Sequence, residues 1–347
     1  MDPWYLRVVE RDVLPDPVLA AAIRARIGRR VAREGAGTEQ DRSERFRALV
    51  ARLREAPIAV ATDVANEQHY ELPPEFFALI LGPRRKYSSA YWPPGTTTLA
   101  AAEDAMLELY VERAELVDGQ RVLELGCGWG SLSLWLAERF PASSIVGVSN
   151  SHGQRRHIEA EAARRGLRNL RIVTADVNEL ATDEVFDRVV SIEMFEHMKN
   201  YRHLLANIAG WLAEDGLLFV HVFSHRTLAF EFRDDDPSDW IGRHFFTGGL
   251  MPSDDLLAHF QEDLVLTDHW RLDGTHYERT LRAWLARLDE QRPAVEAVLA
   301  ATYGADEVTR WLVRWRLFLL VSAELWGWRD GREFLVSHYR FARRVTG

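Results

Sequence analysis

The chain has 347 residues, 47% apolar and 27% charged, a globular composition long enough for two domains or one elaborated domain. Its net charge of -9 argues against general nucleic-acid binding and against broad attraction to anionic lipid, since both need a basic surface. The single cysteine, Cys127, excludes an intramolecular disulfide and a cysteine-based zinc site.

The opening "MDPWYLRVVERDVLPDP" has no basic run followed by an apolar core, so no secretory signal is expected. No apolar run approaches the ~20 residues that cross a bilayer. A cytoplasmic protein is the expectation. Residues 17–34 predict a helix with Leu19, Ile23, Ile27 and Val31 in one stripe and most arginines away from it. Such a helix either packs on its own domain or lies on a lipid surface. Two glycines, Gly35 and Gly37, break the pattern, and residues 42–55 predict a second amphipathic helix through Phe46, Leu49, Val50 and Leu53.

From residue 119 strands and helices alternate. "RVLELG", "SSIVGVSN", "LRIVTAD", "FDRVVSI" and "GLLFVHVFS" are the strand candidates, each later one preceded by helical sequence. That alternation implies an α/β fold with a parallel sheet covered on both faces and ligands bound outside the strands' carboxyl ends. "DLVLTDHWRL" and "REFLVSHYRFAR" are two later strands amid aromatic-rich helical sequence. The expected organisation is a helical segment over 1–118, a core over 119–225, and a helical insertion after the fifth strand over 226–347 that also carries the last two strands.

"LELGCGWGS", residues 123–131, puts Gly126, Gly128 and Gly130 between a strand and a helix. Glycines there let the backbone turn tightly and approach a ligand, and the helix start supplies free N–H groups. Ser131 stands where a dinucleotide fingerprint needs its last glycine, and no Gly-Lys-Ser/Thr follows to make a phosphate loop. The alternating E-x-G-x-G-x-G resembles the first motif of the S-adenosylmethionine (SAM) methyltransferases, which implies a Rossmann-like class I core. On that resemblance Glu124 steers the cationic end of the methionine moiety. Asn150 and Gln154 stand where many such enzymes place an acid for the ribose hydroxyls, and they offer the same hydrogen bonds without charge. Asp176 would accept from the adenine amino group, with a helix N-cap as the alternative.

Longer runs narrow the resemblance. "NEQHYELPPEFFALILGPRRKYSSAYW" (66–92), "MFEHM", "FFTGGLMPS" (245–253), "GTHYERTLRAW" (274–284) and "VSHYRF" resemble the cyclopropane-fatty-acid synthase superfamily across nearly the whole chain. "ANEQHYE", "EMFEHMKNY" and "FFTGG-MPS" are most similar to its coclaurine N-methyltransferase-like subgroup, which methylates benzylisoquinoline amines. The resemblance implies that the N-terminal segment closes over SAM through Tyr87 and Ser88, and that Val177 joins the core contacts. It implies a catalytic cluster of Glu193, Glu196 and His197. The lipid cyclopropane synthases also hold bicarbonate, using a cysteine where Ser89 stands and residues matching His221, Tyr277 and Glu196. Here the cysteine is replaced; serine still donates a hydrogen bond, so bicarbonate stays open.

If "EMFEHM" is helical, Glu193, Glu196 and His197 share one face at i, i+3 and i+4. A free amine arrives protonated, with a pKa of about 10 by analogy with lysine, and has no lone pair until a base takes its proton. Carboxylates also attract and orient the cation. Cyclopropanation makes the same demand, because a carbocation must lose a proton. The alternatives for the cluster are a structural acid–histidine network or a metal site, and a carboxylate–histidine iron site needs a second such pair that is not evident. No metal is expected. Among the C-terminal aromatics Trp240, Phe245, Phe246, Tyr277, Trp284, Trp326 and Trp328, some would box a cationic substrate, with Phe246 and Tyr277 the leading choices. The expected function is SAM-dependent N-methylation of a small aromatic or cyclic amine. The alternative is cyclopropanation or methylation of lipid, the one case that brings membrane contact. The oligomeric state stays open between monomer and homodimer.

Overall fold

The computed structural model describes residues 10–11, 13–60, 72–232 and 240–344. The chain start and residues 66–71 of the family-like stretch lie outside the described residues. Among the described residues four helices precede the sheet: α1 (Asp16–Glu34), α2 (Glu39–Glu55), α3 (Pro74–Ile80) and α4 (Leu99–Arg113). Then β1 (Arg121–Leu125), α5 (Ser131–Arg139), β2 (Ser144–Ser149), α6 (His152–Arg165), β3 (Leu170–Thr174), β4 (Phe186–Ile192), α7 (Tyr201–Trp211) and β5 (Leu212–His225) alternate. The chain ends with β6 (Leu264–Asp273), α8 (Thr275–Glu290), α9 (Arg292–Tyr303), α10 (Val308–Trp326) and β7 (Phe334–Arg343).

The strands form one sheet in the order β3-β2-β1-β4-β5-β7-β6. The first five are parallel, while β7 enters antiparallel between β5 and β6. Among the described residues no helix lies between β3 and β4, where the sequence predicted one. Strand order reverses between β1 and β4, which opens a crevice at the carboxyl edge beside the glycine loop. All seven strands fall where the alternation puts them. The helices expected after β5 come in two parts. Short turns and a two-residue ribbon lie between β5 and β6, and the long helices α8–α10 lie between β6 and β7.

Local chemistry explains the N-terminal helices. Helix α2 starts at Glu39, three residues before the expected position, because Thr38 and Asp41 form a reciprocal capping box. Helix α1 buries Ala20, Ile23 and Ile27 and packs on α10. Leu19 and Val31 complete the contact, and Arg24 pairs with the buried Glu324. The apolar stripe is thus spent on the protein's own core. Among the described residues no helix is long and apolar enough to cross a membrane.

The N-terminal segment also crosses the sheet edge. Ala59 exchanges two hydrogen bonds with the Asn178 side chain, and Lys199 N donates to Ile58 O at 2.7 Å. Further on, the Phe77 ring lies 5.3 Å from Tyr87 and 4.8 Å from Trp129, so α3 presses Tyr87 toward the glycine loop. Ile27→Ala is expected to cost roughly 2–4 kcal/mol, as a buried large-to-small change does. Urea unfolding measures this, and a cost near zero would return α1 to a surface role.

Candidate active site

Three residues of the glycine loop are held in left-handed backbone: Gly126 at φ 79°, Gly128 at 51° and Gly130 at 79°. Side chains crowd two of them. A Cβ at Gly126 would meet Met194 at 3.0 Å, and one at Gly130 would meet Ile158 at 2.8 Å. At Gly128 nothing lies within 4 Å of the Cβ position, so this glycine faces open space. That space is a cleft of about 500 Å³ lined by Lys86, Tyr87, Ser88, Tyr110, Glu124 and Glu193 around the loop.

Charge inside the cleft is unusual. Glu124 is buried at the end of β1 and accepts from the Ser133 hydroxyl at the start of α5. Burial pushes its pKa up to about 8, against the Ser133 bonds and the nearby Lys86. Burial also lowers Lys86 to about 7, opposed by Glu193, Glu103 and Glu124. Its Nζ donates to Ser88 Oγ and, at 2.8 Å, to Ser89 O. A buried acid and a buried amine facing one cleft suit a zwitterion, whose ammonium and carboxylate would restore both charges. The methionine end of SAM has that chemistry, so the residues fit the cofactor.

A second cavity of about 700 Å³ adjoins the first, and Tyr87 and Glu193 line both. Its polar lining includes Glu193, Glu196 and His197. The rest is mostly aromatic, with Phe223, Phe246, Tyr277, Trp284 and Trp326 prominent beside Leu281 and Leu325. Glu193, Glu196 and His197 therefore meet in space, though not on a helix face as expected. Glu193 is itself left-handed, at φ 50°, and only Phe195–His197 form a short 3-10 turn. The reason is the end of β4: Glu193 N donates to His221 O at 2.9 Å, which extends the β4–β5 pairing one residue and then turns the chain. A left-handed non-glycine residue costs about 1–3 kcal/mol and persists where surrounding contacts impose it.

The two carboxyl groups bear on each other. Burial first, then Glu196, push Glu193 well above the carboxylate range, while Lys86 works the other way. Burial raises Glu196 to about 7. Glu196 Oε2 is buried with no hydrogen-bond partner, and the His197 ring stacks on Phe246 at 5.0 Å.

The other sequence candidates divide. Phe246 and Tyr277 line the aromatic cavity, as do Trp284 and Trp326, whereas Trp240, Phe245 and Trp328 line neither cavity. Ser89 is fully buried and donates to Ala90 O, and His221 sits behind Glu193; neither reaches the cavities. Asn150 follows β2, Gln154 lies in the first turn of α6, and Asp176 and Val177 follow β3, all past the carboxyl ends of their strands and outside both cavities. Gln154 accepts from Ser149 at 2.7 Å and leaves its Nε2 buried without a partner. Asp176 accepts from Asn178 N and Nδ2, which orders a turn and not a helix start. Lys86, Tyr110, Arg113 and His338 escaped sequence reasoning. Lys86, the last of the three cations Arg84-Arg85-Lys86, and His338 fall inside the family-like runs "GPRRKYSSAYW" and "VSHYRF", but nothing local singles them out.

A family model described as mycolic acid cyclopropane synthetase matches residues 60–329. The (S)-coclaurine N-methyltransferase of Thalictrum flavum subsp. glaucum is 36% identical over 343 residues, 98% of this chain and 95% of that protein. A cyclopropane-fatty-acyl-phospholipid synthase of Escherichia coli strain K12 is 33% identical over 226 residues, 65% of this chain and 56% of that one. Among solved structures, a coclaurine N-methyltransferase bound to N-methylheliamine and SAH superposes with TM-score 0.94 at 35% identity, covering 97% of this chain and 98% of that one. The chain belongs to the cyclopropane synthase family of methyltransferases. It is a SAM-dependent methyltransferase.

Gly128→Val is expected to abolish SAM binding in titration calorimetry while the protein stays folded, because the branched side chain enters the open cleft and resists φ 51°. Intact binding would move the cofactor away from this loop.

Proposed function

We propose that the protein transfers the SAM methyl group to the nitrogen of a small aromatic or cyclic amine, with Glu193, Glu196 and His197 as the group that binds the ammonium and takes its proton. One observation carries this reading: Glu196 Oε2 is buried and unpartnered in an aromatic-walled cavity that meets the glycine-loop cleft at Glu193. An acid in that setting suits a cation, and the aromatic walls add cation–π attraction. The names of the relatives agree, since two that match over nearly their whole lengths are named (S)-coclaurine N-methyltransferase.

The chemistry then runs in two steps. The bound ammonium gives one N–H proton to the acid–histidine cluster. The freed lone pair attacks the methyl carbon as its bond to sulfur breaks, which leaves a neutral thioether and a methylated ammonium. Positioned proton transfer of this kind contributes ~10²–10⁴ in rate. Glu124, Lys86, Tyr87, Ser88 and the loop glycines would hold SAM at its methionine end, with Asn150, Gln154, Asp176 and Val177 at the adenosine end. The lipid alternative loses its main support, because the apolar stripe of α1 is buried on α10. Bicarbonate loses support too, since Ser89 donates to Ala90 O.

Glu193→Gln and His197→Ala are each expected to lower kcat by about 10²-fold or more, with the Kd for SAM unchanged. Methyl-transfer assays against mixed amines and unsaturated phospholipids, read by mass spectrometry, test this. Transfer to lipid alone would overturn the amine reading. A carboxyl group accepts a proton only when ionised. With Glu196 raised to about 7, activity is expected to climb as pH rises through that range. Glu196→Gln should flatten that limb of the pH–rate profile.

A further inference from the structure

The pairing of β5 with β7 sets His221 opposite His338, and both rings are fully buried. Tyr110 and Arg113, one turn apart on α4, reach the same pair. A line of hydrogen bonds results. His221 Nε2 lies 2.8 Å from Glu193 Oε1, His338 Nε2 lies 2.8 Å from His221 Nδ1, and Arg113 Nη1 lies 2.7 Å from His338 Nδ1. The Tyr110 hydroxyl, which can rotate, also meets His221 Nδ1 at 2.9 Å.

The far end of the line sets its direction. An arginine donates and never accepts. Nδ1 of His338 must therefore accept, and the proton of that neutral ring sits on Nε2. This N–H donates to Nδ1 of His221, whose own proton then sits on Nε2 and points at Glu193. Burial keeps both imidazoles well below their usual pKa, so each carries one proton.

We propose that Arg113, acting through His338, is a positioning residue that locks His221 as a permanent N–H donor to Glu193 and so keeps this carboxyl able to accept a proton from the substrate side. The proposal rests on reading Glu193 as part of the base. A hydrogen bond to the carboxylate favours its ionised form, against the burial and the Glu196 charge that favour the neutral one. With the tautomers reversed, a bare Nε2 on His221 would accept from Glu193 and hold it as an acid. The other titratable groups bearing on Glu193 are Glu196, Lys86, Tyr110 and Tyr277, and the lock leaves them in place. Arg113 also closes the line to proton transport, because a proton passed inward from Glu193 would end at a group that cannot take it. The proton must leave on the cavity side.

Long-range 1H–15N spectra of full-length protein labelled in histidine read the tautomers directly, the two signals being identified by their loss in His221→Gln and His338→Gln. Both rings are expected to be protonated at Nε2 and bare at Nδ1; a protonated Nδ1 on either overturns the proposal. Arg113→Lys keeps a donor-only group and should retain kcat and the pH profile. Arg113→Met should lower kcat about tenfold, a share of the ~10²–10⁴ due to proton transfer, and move the rising limb to higher pH with the Kd for SAM unchanged. His338→Gln can accept from Arg113 and donate to His221, so it should stay active where His338→Leu does not. A folded Arg113→Met or His338→Leu protein with a wild-type profile overturns the proposal. Full activity in Glu193→Gln would instead defeat the reading of Glu193 as base, while the tautomers would stand as assigned.

Discussion

Glu193 stands where the strand geometry, the charge balance and both cavities meet. Its backbone continues the β4–β5 hydrogen bonds by one residue and then turns left-handed, which throws the side chain back to His221. That turn sets the acid at the wall shared by the glycine-loop cleft and the aromatic cavity. Without it the carboxyl group would follow the strand direction, and Glu196 and His197 would leave with it.

Burial gives the site its character. Lys86, Glu124, Glu193 and Glu196 are all withdrawn from water, and each is moved toward its neutral form by the cost of that withdrawal. Such groups are expensive in the free protein and regain their charges against a ligand of opposite sign. The cleft holds an acid and an amine, as a zwitterionic methionine moiety requires. The aromatic cavity is lined by two acids and a histidine with no lysine or arginine, which suits an ammonium. The two lining sets thus differ in the charge they would accept, and Glu193 belongs to both.

The family is shared with enzymes that modify lipids, and the fold does not separate the two groups. The amine reading proposed for this chain rests on where polar and apolar groups are used. The apolar face of α1 is covered by α10, and the Ser89 hydroxyl is committed to its own backbone. The space left for an acceptor is walled by rings on α8, α10 and the segment before β6, which suits a compact aromatic molecule.

The sequence by itself determined the succession of strands along the chain, the glycine loop and the family. Each rests on a short-range signal: hydrophobic period, residues that tolerate positive φ, or an unbroken run such as "EMFEHMKNY". It also brought Glu193, Glu196 and His197 together, though for a reason the fold replaced, since a turn and not a helix groups them. Only the tertiary structure decided which aromatics face the cavity, that Lys86 lies beside Glu124, and that Arg113, His338 and His221 line up behind Glu193. The contacts of His221 with Tyr110 and His338, and of His338 with Arg113, join residues more than a hundred positions apart through the β5–β7 register and the packing of α4. No local pattern encodes them, because the free energy that selects a register belongs to the whole buried face and not to any one segment.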